Sequence, residues 1–156
     1  MIVLDAYALV AMLADEPAAA HVKKLLLEEE CAISTLNLAE VADVLHRTRG
    51  IATTETRNVV GTLAPGAMTL VDVDERCAWR AAALRTVHYR RRSSELSLAD
   101  CVLLATAEPG RDSVATSDAP VLRAARREGL GAISLPDAGG RMVTGFSRSP
   151  GLERRP

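Results

Sequence analysis

The chain has 156 residues, 48% of them hydrophobic and 25% charged, with a formal net charge of −1. This length suits a single domain with a sizeable core, and the composition is typical of a globular protein rather than a disordered or fibrous one. The charge balance excludes a global basic field, so any contact with nucleic acid must use a local patch of positive residues.

Cysteine usage and hydropathy indicate a cytoplasmic protein. The three cysteines form no Cys-x-x-Cys pair, and their odd number is typical of reduced thiols rather than of a disulfide framework. No apolar run reaches the roughly 18 residues needed to span a bilayer, and no basic leader or cleavage-like site precedes the first apolar run. We therefore expect cytoplasmic localisation and no membrane partner.

Short apolar runs and helical periodicities alternate along the chain. Ile2-Val3-Leu4 predicts a strand that is buried on both faces, which is typical of parallel sheets. Further strands are predicted at 31–34, 68–73, 113–116 and 132–135. Helices are predicted at 7–13, 17–30, 36–49, 54–63, 75–89, 98–107 and 119–127. This order predicts an α/β fold, a three-layer α/β/α sandwich around a mainly parallel five-stranded sheet.

The composition changes near the C-terminus. Beyond residue 136 the chain is rich in glycine, serine, proline and arginine. Such a segment lacks the apolar residues for a core, so it is expected to be loosely ordered or to dock on the surface. We therefore predict a globular domain at 1–136 and a C-terminal tail at 137–156.

Four acidic residues stand in apolar surroundings. Asp5 is the first residue after the first predicted strand, and Asp118 directly follows the fourth. Ligands of open α/β sheets bind in the crevice beyond the carboxyl ends of the strands, so both side chains are expected there. Glu40 interrupts the apolar stripe of a helix for which Thr35 is the expected N-cap. Asp100 lies in the first turn of another apolar helix, which places all four acids near one edge of the sheet.

A cluster of carboxylates indicates a bound cation. Like charges repel one another, and their desolvation is costly, so such a cluster usually serves a metal ion. Oxygen ligands select Mg²⁺ or Mn²⁺, whereas His21, His46 and His88 lack the spacing of zinc ligands. Hard cations held in this way can lower the pKa of a bound water and stabilise a charged phosphate, so the pattern favours phosphodiester hydrolysis.

Each acid also has an ordinary structural interpretation when it is taken alone. Ser97-Leu98-Ala99-Asp100 matches a helix capping box in which aspartate replaces glutamate. Asp5 and Asp118 are possible N-caps, and Glu40 is a possible boundary residue whose carboxylate reaches solvent. The functional interpretation therefore depends on the four acids being together.

These residues carry a resemblance to a known family. The chain resembles PIN-domain proteins, specifically VapC-type toxin ribonucleases, in the order and separation of its motifs over residues 1 to about 136. The matching segments are Ile2-Val3-Leu4-Asp5, Asn37-Leu38-Ala39-Glu40-Val41, Leu96-Ser97-Leu98-Ala99-Asp100-Cys101 and Ala115-Thr116-Ser117-Asp118.

The resemblance implies a metal-dependent endoribonuclease that is the toxin of a type II toxin–antitoxin system. Asp5, Glu40, Asp100 and Asp118 are then the catalytic acids, and the three aspartates hold Mg²⁺ or Mn²⁺. Thr116 matches a hydroxyl that supports this site. The implied partners are an RNA substrate, a cognate antitoxin that inhibits the enzyme, and a second copy of the chain in a homodimer.

One departure from the family pattern lies beside the first acid. The family usually has Thr or Ser after this aspartate, whereas here the sequence is Asp5-Ala6-Tyr7, so a hydroxyl near the metal is missing unless Tyr7 supplies it. Tyr7 is also the best-placed aromatic residue for stacking on an RNA base. Arg90, Arg91 and Arg92 could bind RNA phosphates, although a solvated helix end explains them equally.

Other functions of α/β proteins lack their signatures here. A phosphate-receiver domain needs an acidic pair after the first strand and a lysine after the fifth, whereas the chain has only Lys23 and Lys24. A dinucleotide-binding domain needs a glycine-rich first turn, and residues 5–13 contain no glycine. No Gly-x-Ser-x-Gly elbow is present either. The alternative that stays open is a PIN-like module that binds RNA or protein without cleavage, which the Ala6-Tyr7 departure supports.

Overall fold

The fold is described from a computed structural model for residues 1–63, 66–89 and 96–146. A parallel sheet forms its centre, with the strand order β3-β2-β1-β4-β5. The strands are β1 Ile2–Leu4, β2 Cys31–Ser34, β3 Met68–Val71, β4 Ser113–Thr116 and β5 Gly131–Ser134. The predicted α/β fold with five strands is therefore confirmed, and every strand pair of the sheet is parallel.

Helices follow the strands along the chain. They are α1 Ala6–Leu13, α2 Ala19–Glu28, α3 Thr35–Arg49, α4 Thr53–Leu63, α5 Glu75–His88, α6 Leu98–Thr106 and α7 Ala119–Arg127. No helix in the described part of the chain is long and apolar enough to cross a membrane.

The two faces of the sheet bury different sets of side chains. Ile2 and Leu4 belong to one apolar cluster, which includes residues of α1 to α4 such as Leu9 and Leu45. Val3 points to the opposite cluster, which α5, α6 and α7 complete. Successive side chains of a strand alternate between faces, so one apolar run serves both cores. This arrangement gives the predicted three layers.

The N-cap of α3 differs by one residue from the prediction. The backbone N–H of Asn37 donates to Ser34 Oγ at 3.0 Å, so Ser34 caps the helix and Thr35 is its first residue. Thr35 Oγ1 instead accepts from the N–H of Val73 at 3.4 Å. Both neighbouring residues carry a hydroxyl that can cap a helix, and the extended backbone of Ser34 decides which one does.

The segment after β5 is attached to the domain through residue 146. Ser134 N donates to the carbonyl of Phe146 at 3.2 Å, and the Arg126 guanidinium lies 4.1 Å from the centre of the Phe146 ring. Val143 and Phe146 also pack against the cluster below α7. The first ten residues of the predicted tail thus cover an edge strand with apolar contacts, which the composition alone did not indicate. Residues 147–156 lie outside the described part, and the domain boundary at 136 stays a prediction.

Candidate active site

Asp5 follows β1 directly and is buried, with 9% of its surface exposed. Although it occupies the N-cap position of α1, its side chain makes no capping hydrogen bond. Its Oδ2 accepts instead from the hydroxyl of Thr116, 2.6 Å away and at the end of β4. The interpretation of Asp5 as a simple helix cap is therefore not supported.

Thr116 connects two of the predicted site residues. While its hydroxyl donates to Asp5, its oxygen accepts from the backbone N–H of Asp118 at 3.0 Å. Asp118 stands at the N-cap position of α7, and a contact with the backbone N–H of Val121 opposes the rise in the pKa of its carboxyl, so a capping role for Asp118 stays open. The Thr116 hydroxyl thus joins the Asp5 carboxylate at the end of β1 to the backbone of Asp118 after β4, and its supporting role stays a prediction.

Asn37, to which the sequence assigned no separate role, lies between Glu40 and the start of α6. Asn37 is fully buried, and its Nδ2 donates to the carbonyl of Ala99 at 3.4 Å. Ser34 Oγ donates to Asn37 Oδ1 at 2.6 Å, and a further side-chain hydrogen bond joins Asn37 to Glu40. Asn37 therefore ties α3 to the start of α6. A buried amide within an apolar helix face was the available signal, since Asn37 stands three residues before Glu40 in the motif.

Asp100 has the local structure of a helix cap. Its Oδ2 accepts from the N–H of Ser97 at 2.6 Å, and its own N–H donates to Ser97 Oγ at 3.0 Å. These reciprocal bonds form the capping box that the sequence left open as an alternative. These bonds orient the Asp100 carboxyl group at the start of α6, so Asp100 has a structural role whether or not it also binds a metal ion.

The four acids influence one another electrostatically. Burial raises the pKa of Asp5 to about 7, and the charges of Asp100 and Glu40 add to this rise. Desolvation followed by repulsion from Asp100 also raises the pKa of Glu40 and that of Asp118. Asp5 and Asp118 stand at the carboxyl edge of the sheet, after β1 and β4, and these mutual effects couple Glu40 and Asp100 to the crevice there. Ionising all four acids is unfavourable without a cation.

Salt bridges do not neutralise this crevice in the part of the chain that the structure describes. Within the described residues, none of Asp5, Glu40, Asp100 and Asp118 forms an ion pair. In the same part of the chain, no three His, Cys, Asp or Glu side chains are grouped closely enough to hold one ion as they stand. The donors are all carboxylate oxygens, which fit Mg²⁺ or Mn²⁺, but binding would need their side chains to move together.

The predicted RNA-binding residues have different outcomes. Tyr7 OH donates to the carbonyl of Pro136 at 2.8 Å, so its hydroxyl joins α1 to the segment after β5. The Tyr7 hydroxyl, which could replace the family's Thr or Ser hydroxyl next to Asp5, is therefore engaged by another group. A stacking role for the Tyr7 ring stays a prediction. Arg90, Arg91 and Arg92 lie outside the described residues.

The hydroxyl of Thr116 gives the first test of the site. Thr116→Val keeps the side-chain shape but removes both hydrogen bonds, so we expect metal-dependent activity to fall about 10–100-fold. The pKa of Asp5 should rise further, because the Thr116 hydrogen bond lowers it. Activity profiles against pH and Mn²⁺ titrations check both effects. Thr116→Ser retains the hydroxyl and is the control; equal activity of the valine and serine variants would show that the hydroxyl has no role.

Comparisons with known proteins place this geometry in a family. The model of the PIN domain family matches residues 2–127. A comparison with curated protein sequences gives no match.

Three solved structures share the fold. One is VapBC2 from Rickettsia felis bound to a DNA fragment from its promoter, with a TM-score of 0.58, 15% identity, and coverage of 85% of this chain and 97% of that one. Another is the sarcin-ricin loop cleaving toxin VapC20 from Mycobacterium tuberculosis, with a TM-score of 0.56, 16% identity, and coverage of 96% and 100%. The third is FitAcB from Neisseria gonorrhoeae, with a TM-score of 0.58, 22% identity, and coverage of 85% and 96%.

At these identities the solved structures establish a common fold and nothing about activity. The family match is the stronger finding, because it extends over most of the chain and includes all four acids. It agrees with the motifs that carried the resemblance in the sequence. The chain belongs to the PIN domain family.

Proposed function

We propose that this protein is a Mg²⁺- or Mn²⁺-dependent endoribonuclease and the toxin of a type II toxin–antitoxin system. The observation that carries the proposal is the crevice of Asp5, Glu40, Asp100 and Asp118, which has no ion-paired cation among the described residues. Three of these carboxyls have raised pKa values, so a cation would relieve a real electrostatic cost.

In this proposal each residue of the site has its own role. Asp5, Asp100 and Asp118 would hold the cation, which would make its bound water more acidic and stabilise the charge of the phosphate. Thr116 fixes Asp5 and the start of α7. Glu40, whose pKa desolvation and the charge of Asp100 raise, would take a proton from the attacking water more readily than an ordinary surface glutamate.

The proposed partners come from the structural relatives and from the resemblance. Similar folds occur in a toxin–antitoxin complex from Klebsiella pneumoniae and in VapBC2 from Rickettsia felis. These relatives support a cognate antitoxin as partner. A homodimer, RNA as substrate and a cytoplasmic location are proposed from the resemblance and the composition.

One observation favours the alternative of a PIN-like module that binds without cleaving. The Asp100 carboxylate is engaged in the capping box, and the acids of the described part are not grouped as a finished metal site. If the four carboxylates cannot move together to bind a cation, the protein would bind RNA or a protein partner without hydrolysis. The two candidates differ in one measurable property, which is metal-dependent strand cleavage.

The deciding experiment is cleavage of a structured RNA by the purified protein. We expect new RNA ends with Mn²⁺ or Mg²⁺, no cleavage with a chelator, and recovery when excess Mn²⁺ is added. A preparation of Asp5→Asn made in parallel controls for contaminating nucleases. Cleavage that persists in chelator, or that the variant retains, contradicts the proposal, and RNA binding without cleavage supports the alternative.

A further inference from the structure

An anionic RNA strand would be repelled by the acidic crevice unless a positive side chain of the protein bound it there. Most described arginines are already engaged by other groups. Their partners are Asp43 for Arg47, Glu16 for Arg49, Glu108 for Arg76 and Arg80, Leu96 and Tyr89 for Arg85, Asp112 for Arg111, Phe146 for Arg126 and Asp137 for Arg141. Arg57, Arg123 and Arg127 have no ion pair, hydrogen bond or ring contact within the described residues.

Of these three, Arg123 is the closest in sequence to one of the acids, because it follows Asp118 by five residues. Helix α7 begins at Ala119, directly after Asp118, and Arg123 lies in its second turn on the exposed side, while Leu122 and Ala124 are buried. Five residues of helix rise about 7 Å, and helical side chains lean toward the N-terminus, so an extended arginine is long enough to span the distance back to the crevice. Arg127 is one turn further from the crevice.

The electrostatics agree with this placement. Desolvation and the charge of Asp100 raise the pKa of Asp118, and the charge of Arg123 opposes this rise, so the guanidinium is within electrostatic reach of that carboxyl. Arg57 belongs to a different surface, the apolar groove between α3 and α4 that Leu38 and Val60 line.

We propose that the guanidinium of Arg123 binds a backbone phosphate of the RNA strand beside Asp118 and so positions the strand in the acidic crevice. This inference rests on the proposed ribonuclease function and adds a substrate-positioning residue to it. A guanidinium offers two parallel N–H donors to phosphate oxygens, and its charge offsets the repulsion between the RNA and the uncompensated carboxylates. Because the contact is to the backbone, it should act on RNAs of different sequence alike.

The test compares Arg123→Ala with Arg127→Ala, a matched change on the same helix. With Mn²⁺ and one structured RNA, we expect Arg123→Ala to raise KM about tenfold and to leave kcat nearly unchanged. The slope of log affinity against log salt should fall by about one unit, because one phosphate contact is lost. Arg127→Ala should stay within about twofold of the parent, and Arg123→Lys should keep the salt slope.

Equal KM values and equal salt slopes for the two alanine variants would overturn the role of Arg123. Thermal unfolding of both variants checks that each is folded, which is expected because both side chains are exposed. If the parent cleaves RNA but the two variants behave alike, only this inference fails. If the parent does not cleave, the proposed function fails, and an RNA-binding titration of the same variants still decides whether Arg123 holds the strand.

Discussion

Asp5→Asn is expected to lower metal-dependent RNA cleavage by about 1000-fold and to make the metal-free protein more stable at pH 8. The loss of activity is expected because Asp5 is a proposed metal ligand, and charge stabilisation by a bound cation is worth several kcal/mol. The gain in stability follows from the same carboxylate, which is buried beside two other acids and has no cation partner among the described residues.

The sign of the pH dependence follows from the raised pKa. The folded metal-free protein holds the proton of Asp5 up to about pH 7, whereas the unfolded chain releases it near the ordinary aspartate pKa of 3.8. Between these values the native state binds more protons, so its free energy of unfolding falls as pH rises, in total on the order of 4 kcal/mol. The asparagine variant cannot titrate and avoids this loss, while its amide oxygen still accepts from Thr116.

Urea unfolding in chelator at pH 5 and pH 8 measures the effect. The advantage of Asp5→Asn over the parent should be clearly larger at pH 8 than at pH 5. Asp15→Asn is the control, because the Asp15 side chain is 90% exposed and its left-handed backbone conformation suits asparagine. A variant that is less stable than the parent at pH 8 would show that the ionised carboxylate stabilises the fold.

The same pair of proteins tests the toxin role in cells. Expression of the parent without an antitoxin should slow growth, and expression of Asp5→Asn should not. Equal growth of the two strains counts against a toxin, whereas the cleavage assay then decides separately whether the protein is a nuclease.

Asp100→Asn should separate a catalytic role of Asp100 from a structural one, because a second variant at Ser97 can disrupt the same capping box without changing the carboxylate. The asparagine oxygen can still accept from the N–H of Ser97, so the fold should lose little stability, and the removed charge relieves Asp5, Glu40 and Asp118. Cleavage should nevertheless fall at least about 100-fold, since an anionic ligand is lost.

Ser97→Ala breaks the other half of the same box without touching the carboxylate. It should cost about 1 kcal/mol of stability and leave cleavage within a few-fold of the parent. Thermal melts with and without Mn²⁺ complete the comparison, because a ligand that binds the native state raises its stability. We expect an undiminished Mn²⁺ shift in Ser97→Ala and a smaller one in Asp100→Asn. The reverse pattern would identify Asp100 as a helix cap alone.

The sequence by itself determined the elements and the location of two acids. Short apolar runs predict buried parallel strands, and a residue that follows such a strand must lie at its carboxyl end. Asp5 and Asp118 were therefore assigned to one edge of the sheet from their positions alone. The helix that begins after Ser97 was also predictable, because a capping box is a local pattern within four residues.

Only the tertiary structure decided which groups meet at that edge. Leu4 pairs with Ala115 across the sheet, and this register brings Thr116 to Asp5 although 111 residues separate them. The role of Asn37 likewise depends on the approach of α6, whose Ala99 carbonyl accepts its amide. Strand order, register and helix packing arise from long-range burial rather than from local patterns, so no stretch of sequence encodes these contacts alone.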